Sequence, residues 1–183
     1  MNFKPEFKKI ESEVEIIEDF CKKYLNKEEG ETKITLEQLK ELKEKGITTE
    51  RFLDHLYQKY GLLMHGSIQE IKDGQLKSKN NKVFGSNKSA IAIMRSLFSN
   101  VGVNLSYPYF ISEENPLILQ VRVPSGVEPI IRQNGFVYIV EGQGFVNDPE
   151  GSWQYVKNED DVKIKIVVET EKDDFKYPVK IVR

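Results

Sequence analysis

The stretch Tyr60–Ser99, YGLLMHGSIQEIKDGQLKSKNNKVFGSNKSAIAIMRSLFS, decides how the rest of the chain is read. Leu62-Leu63-Met64 is too apolar for a surface loop and too short for a helix, so it reads as a buried strand. It breaks into His65-Gly66-Ser67, and a second apolar piece, Val83-Phe84, breaks into Gly85-Ser86-Asn87. Two neighbouring strands presenting both turns at one sheet edge, with the Ala/Ile-rich segment from Ser89 as a following helix, make a cleft. His65 is expected to leave the sheet at that edge.

Downstream the apolar period becomes two. Leu117, Leu119, Val121 and Val123 alternate with Ile118, Gln120 and Arg122, and Pro124-Ser125-Gly126 turns the chain. Val127–Arg132 reads as a strand, and Asn134-Gly135 as a tight turn into Phe136–Val140, which is apolar on both faces and therefore central. Val162, Ile164, Ile166 and Val168 form one alternating strand, and Val179-Lys180-Ile181 an edge partner.

Upstream the period is helical. Phe3, Phe7, Ile10, Val14, Ile17, Cys21 and Tyr24 form one apolar stripe. In Ile34-Thr35-Leu36-Glu37-Gln38-Leu39, Thr35 and Gln38 carry the pattern of a capping box, and Gly46 ends that helix. Thr48 or Thr49 starts a third helix with the stripe Leu53, Leu56, Tyr57 and Tyr60; His55 lies off it and reads as a solvated surface residue. The chain thus divides into a helical segment, 1–60, docked on an α+β domain, 61–183, with no Pro/Gly/Ser linker between them.

Composition narrows the function. A net charge of −2 gives no overall attraction to nucleic acid or anionic lipid. No apolar run approaches the ~20 residues that span a bilayer, and the opening MNFKPEFKK lacks the apolar core of a secretion signal, so a cytoplasmic protein without membrane contact is expected. The single cysteine, Cys21, lies on a helical stripe and reads as core; with only His55 and His65 beside it, no metal site is expected. Lys72, Lys77, Lys79, Lys82, Lys88 and Arg95 against Asp73 form a locally basic segment suited to a diphosphate or a nucleic-acid backbone. Ser86 or Ser89 is the expected cap of the helix that follows.

The order Leu-Met-His-Gly-Ser, Val-Phe-Gly-Ser, an Ala/Ile helix, Gly-Phe-Val-Tyr-Ile-Val and Ser-Trp-Gln-Tyr-Val resembles the ADP-ribosyltransferase-like superfamily, on its His-Gly-Ser/Thr branch, over Leu62–Val182. That resemblance implies an antiparallel-rich split-sheet domain whose cleft takes NAD as substrate. It implies that His65 bonds a ribose hydroxyl, that the backbone of Gly66 in the motif completed by Ser67 grips the carboxamide, and that Phe84 or Ser86 flanks the ring. Glycine suits such a grip because it lets a ligand reach the backbone. Active members carry a late-strand glutamate that opposes the positive charge developing at the anomeric carbon; here the matching position is Gln154, with Glu141 after Phe136–Val140 as the alternative.

Two functions follow as expectations. One is a toxin- or effector-like mono-ADP-ribosyltransferase with a protein or nucleic-acid acceptor and a cognate inhibitor protein as a partner. The other is a catalytically silent nucleotide- or partner-binding module on the same fold. RNA 2′-phosphotransferase chemistry is disfavoured by the neutral balance after residue 60.

Overall fold

The structure, a computed structural model, describes residues 4–25, 32–99, 109–111, 119–122, 130–148 and 154–182. The helices are α1 (Lys4–Leu25), α2 (Leu36–Lys43), α3 (Thr49–Tyr60) and α4 (Ser89–Leu97). The strands in chain order are β1 (Thr32–Ile34), β2 (Leu63–Ser67), β3 (Gln75–Lys77), β4 (Val83–Ser86), β5 (Phe98–Ser99), β6 (Tyr109–Ile111) and β7 (Leu119–Arg122). They continue with β8 (Ile130–Ile131), β9 (Asn134–Val140), β10 (Val146–Asn147), β11 (Gln154–Lys157), β12 (Asp161–Lys163), β13 (Ile166–Glu171) and β14 (Val179–Val182). The chain is therefore mixed α+β. A seven-stranded sheet, ordered β1-β13-β9-β2-β4-β11-β10, is antiparallel except where β1 runs parallel to β13.

Local chemistry explains the helix ends. Thr35 caps α2 in a reciprocal box, its hydroxyl accepting from Gln38 N while Gln38 Oε1 accepts from Thr35 N at 2.8 Å. Gly46, at φ 79°, takes the chain out after that helix, and Gly61, at φ 66°, ends α3. Thr48 caps α3 by accepting from Arg51 N at 3.1 Å.

Four elements depart from the periodic reading. Thr32–Ile34, read only as the approach to a helix, is a strand that pairs with β13 through Thr32↔Ile166 and Ile34↔Val168. The helical segment is thus also part of the sheet. Asn134-Gly135 is no turn but the start of β9, paired as Gly135↔Thr170 and Asn134↔Glu171. The alternating run from Val162 is two strands, because Ile164 N bonds Gly74 O and Lys165 N bonds Ile139 O as the chain passes from the β3–β12 pair into the main sheet. Finally, His65-Gly66-Ser67 and Gly85-Ser86 do not leave the sheet, since β2 stays paired with β9 as far as Ser67↔Phe136. Leu117, Val123–Pro129 and the 149–153 connection lie outside the described residues.

Two cores sandwich the main sheet. Met64, Val137, Ile139, Ile166 and Val168 face α4 and the N-terminal helices, meeting Ile17, Phe20, Leu39, Phe52, Leu53, Leu56, Ile91 and Leu97. Leu63, Tyr138, Val140 and Val167 face the other way, against Leu76, Val83, Val162 and Ile164. Cys21 is core, and burial pushes its thiol up to about 12. His55 is not solvated: its Nε2 bonds Glu18 of α1, whose carboxylate also takes Lys59 and is thereby held below its ordinary pKa.

Helix α4 lies unusually close to the sheet at two glycines. A Cβ on Gly66 would sit 1.9 Å from Ala92 O, and one on Gly135 1.8 Å from Ser96 O. Gly66→Ala and Gly135→Ala are each expected to cost at least ~1–3 kcal/mol by overpacking, whereas Gly85→Ala, whose nearest contact would be Leu63 Cβ at 3.1 Å, is milder; urea midpoints give the ranking. Deleting residues 1–60 removes β1 and uncovers the α-facing core, so the 61–183 fragment is expected to aggregate or melt without cooperativity. A soluble fragment with a sharp melting transition would show that the helices are a separate module.

Candidate functional site

The motif strands are neighbours. β2 lies next to β4, and β4 next to β11. Met64, Ser86 and Gln154 form one cross-strand row through Met64↔Ser86 and Gln154↔Ser86. β2 and β4 share that single register position, then diverge. The two motifs therefore meet side by side within the sheet rather than at one edge.

At the divergence His65 Nδ1 donates to Phe84 O across 2.9 Å, giving the carbonyl the partner that the ladder no longer supplies. This bond fixes the Nδ1–H tautomer of the neutral ring and leaves Nε2 an acceptor. Neighbouring atoms enclose the ring although part of its surface is exposed. Burial lowers its pKa, the Phe84 carbonyl acts in the opposite direction, and the charge of Arg95 adds to the lowering.

Strand alternation sorts the other residues. His65↔Tyr138 places His65 on the face of Leu63 and Tyr138. Phe84, Ser86 and Gln154 lie on the opposite face with Met64, as their registers require. The room left by Gly66 is taken by α4, so its missing side chain serves helix packing. Ser67 anchors the next loop, its hydroxyl accepting from Gln69 N and donating to Gln69 O, both at 3.1 Å. Ser86 accepts from Lys88 N at 3.0 Å, forming a local turn rather than a side-chain cap of α4, and Ser89 donates to Asp54 at 2.6 Å.

The two late-strand candidates are already engaged. Gln154 Nε2 donates to Asp148 Oδ2 at 2.8 Å, and Asp148 N donates to Gln154 O at 2.8 Å, so that pair closes the β10–β11 hairpin. Glu141 is exposed beyond β9 in an ion pair with Lys165, beside a Gly142 that packs on Gly61 O. That is the end of β2 away from His65. In the basic segment, Lys77 is matched by Asp73 at 3.3 Å and Asp161 at 3.5 Å, while Lys72, Lys79, Lys82 and Lys88 are exposed.

Residues that the sequence reading left out sit on the face of His65. Tyr155 is registered with Gly85 on the opposite strand and packs on the Leu63–Tyr138 core. Tyr57 of α3 touches both cores and accepts from Asn87 Nδ2 at 3.4 Å. Asn87 and then Tyr155 hold the Tyr57 phenol below its ordinary range, and Tyr57 raises that of Tyr155. Tyr138 clamps the loop after β2, donating to Gln69 O at 3.0 Å and accepting from Ile71 N at 2.6 Å. The alternation in Gln154-Tyr155-Val156 was the available signal for Tyr155. Among the described residues no cluster of His, Cys, Asp and Glu could hold a metal ion, and no helix is long and apolar enough to cross a membrane. Comparison with family models, with curated proteins and with solved structures gives no match.

The lowered His65 pKa has a consequence for stability. As pH falls, the unfolded chain takes up this proton near 6.5 while the folded one resists it. The contribution of His65 is therefore complete above that value and lost as pH falls through the window below it. Urea unfolding at pH 7.5 and 5.5 is expected to show a smaller difference for His65→Asn, which keeps a donor for Phe84 O, than for the wild type.

Proposed function

We propose that this chain binds NAD or a related nucleotide through an ADP-ribosyltransferase-like domain, at the divergence of β2 and β4. The observation that carries the reading is the adjacency of the three motif strands, with His65 held in one tautomer where two of them part. A neutral imidazole with its acceptor nitrogen available suits a ribose hydroxyl, and no rearrangement of the ring is needed to present it.

Transfer of ADP-ribose to a protein or nucleic-acid acceptor, in the manner of a toxin-like effector with its own inhibitor, is the less supported reading. It needs a carboxylate facing the anomeric carbon. On the face of His65 the described residues of β4 and β11 are Val83, Gly85, Tyr155 and Lys157, none of them acidic. Gln154 and Glu141 lie elsewhere and are engaged by Asp148 and Lys165. The domain is thus better suited to holding a nucleotide than to splitting it.

A ligand that binds only the folded state raises its melting temperature by mass action. Millimolar NAD or ADP-ribose is expected to raise the melting temperature of the wild type, and to do so less for His65→Ala. Unchanged melting of a folded wild type would defeat the proposal. Incubation with labelled NAD and a cell lysate decides between the two readings, transferred label favouring the transferase.

A further inference from the structure

Asn134-Gly135 is the one Asn-Gly step in the chain. In such a step the following amide nitrogen attacks the asparagine side chain with least hindrance, because glycine carries no Cβ to crowd the approach. The Gly135 nitrogen, after losing its proton to hydroxide, forms a bond to Asn134 Cγ; the Cγ–Nδ2 bond breaks and ammonia leaves. Water then opens the resulting cyclic imide at either carbonyl, giving aspartate or isoaspartate. Asn134 is exposed, so water and base have access to it.

The fold denies that reaction its nucleophile. Lys172 N donates to Gln133 O at 2.8 Å on one side of the Asn134↔Glu171 pair. Antiparallel ladders alternate, so the matching bond on the other side runs from Gly135 N to Thr170 O. β9 is extended from Asn134 onward, and in extended backbone a side chain stands off the strand instead of curling onto the next nitrogen. Closing the ring requires the chain to bend at Asn134, and α4 lies against the place where it would bend: a Cβ on Gly135 would be 1.8 Å from Ser96 O. The approach to this step is tied down as well, Arg132 N donating to Leu97 O at 2.7 Å.

We propose that Asn134 is a deamidation site gated by the fold, closed while β9 is zipped to β13 against α4 and open once that end of the sheet parts. The product does not fit back. Aspartate at this position puts a carboxylate directly opposite Glu171, at a non-hydrogen-bonded pair where side chains stand closest. Lys43, which pairs with Glu171 at 2.7 Å, is already shared with Asp174 at 2.7 Å. Isoaspartate lengthens the backbone by one carbon just before Gly135, displacing the residue that has to lie bare against Ser96 O. Each opening that ends in reaction therefore turns a reversible parting of α4 and the sheet into a lasting one. None of this depends on a nucleotide being bound near His65.

Peptide mapping by mass spectrometry, with aspartate and isoaspartate separated by chromatography, follows the reaction in the full chain kept in mildly alkaline buffer. Conversion at Asn134 is expected to be at least ~10-fold slower in the folded chain than in denaturing urea, since the opened population sets the native rate. Thr170→Val removes the hydroxyl that meets Ser96 Oγ at 2.7 Å. It is expected to loosen α4 from β13 and speed conversion in buffer, while leaving the rate in denaturing urea unchanged. Should that variant fail to fold, the wild type in urea below its unfolding midpoint serves instead, with a rate expected to climb with urea. Asn134→Asp is expected to lower the urea midpoint relative to the uncharged Asn134→Ser. Equal rates in folded and unfolded chains would overturn the gating, as would a native rate indifferent both to Thr170→Val and to urea. An Asn134→Asp chain as stable as Asn134→Ser would show that the product is accommodated and overturn its lasting effect.

Discussion

The close approach of α4 to β2 and β9 is the constraint on which the architecture depends. Backbone nearly touches backbone at Gly66 under Ala92 and at Gly135 under Ser96. Ser96, fully buried, donates to Ile93 O at 2.7 Å and takes the Thr170 hydroxyl at 2.7 Å, so the helix is tied to β13 at the same level. Apolar side chains elsewhere on α4 then reach a core shared with α1, α2 and α3. Each such side chain, fully buried, contributes roughly 1.5–3 kcal/mol, but only if the helix sits at a depth that the two glycines permit. The N-terminal helices depend on this depth as well, because their apolar faces meet α4 and not the sheet alone.

This constraint also determines where chemistry can take place. With α4 seated on one face of β2, a residue of alternating parity is either helix-covered or on the reverse. Met64 and Gly66 are covered, while Leu63 and His65 are on the reverse. The same glycine that in a motif reading admits a ligand to the backbone here admits a helix. His65 and Ser67 are the polar members of β2 on the reverse face; Ser67 is committed to the loop at Gln69, while the parting of β2 from β4 gives the His65 ring a carbonyl to bond.

Signals that act within a few residues of chain carry over into the structure, whereas elements that depend on a distant partner are poorly marked in the sequence. Thr35, Gln38 and Gly46 act within one turn of chain, and the structure keeps each in the role its chemistry suggests. Asn134-Gly135 has equally clear turn chemistry, yet Gly135 is extended because β13 offers a partner as far as Glu171 and α4 needs the absent side chain. Thr32–Ile34 is too short to declare a period, and only the partner β13 makes it a strand. His55 falls off the apolar stripe of its helix but lies against α1, where Glu18 waits; a stripe describes one helix and says nothing of a second packed along its flank.

The late strand shows why motif matching and strand geometry can differ by one residue. A short motif fixes which strand carries a site, since few stretches have the right company in the right order. It does not fix which alternate residues face the site, because moving the match by one position changes the facing set completely while the sequence similarity hardly changes. Only the register with a neighbouring strand resolves this, and here that register comes through β4: Ser86 carries Gln154 to the side of Met64, and Gly85 carries Tyr155 to the side of His65. The hydrogen bonds agree with the register. Gln154 is paired with its hairpin neighbour Asp148, while the phenol of Tyr155 lies among polar groups from α3 and the β4–α4 connection. Gln154 is thus held on the face of Met64 by a structural bond, Tyr155 packs on the opposite core with its phenol turned to Tyr57 and Asn87, and the parity of the strand leaves no carboxylate of β4 or β11 on the face of His65 among the described residues.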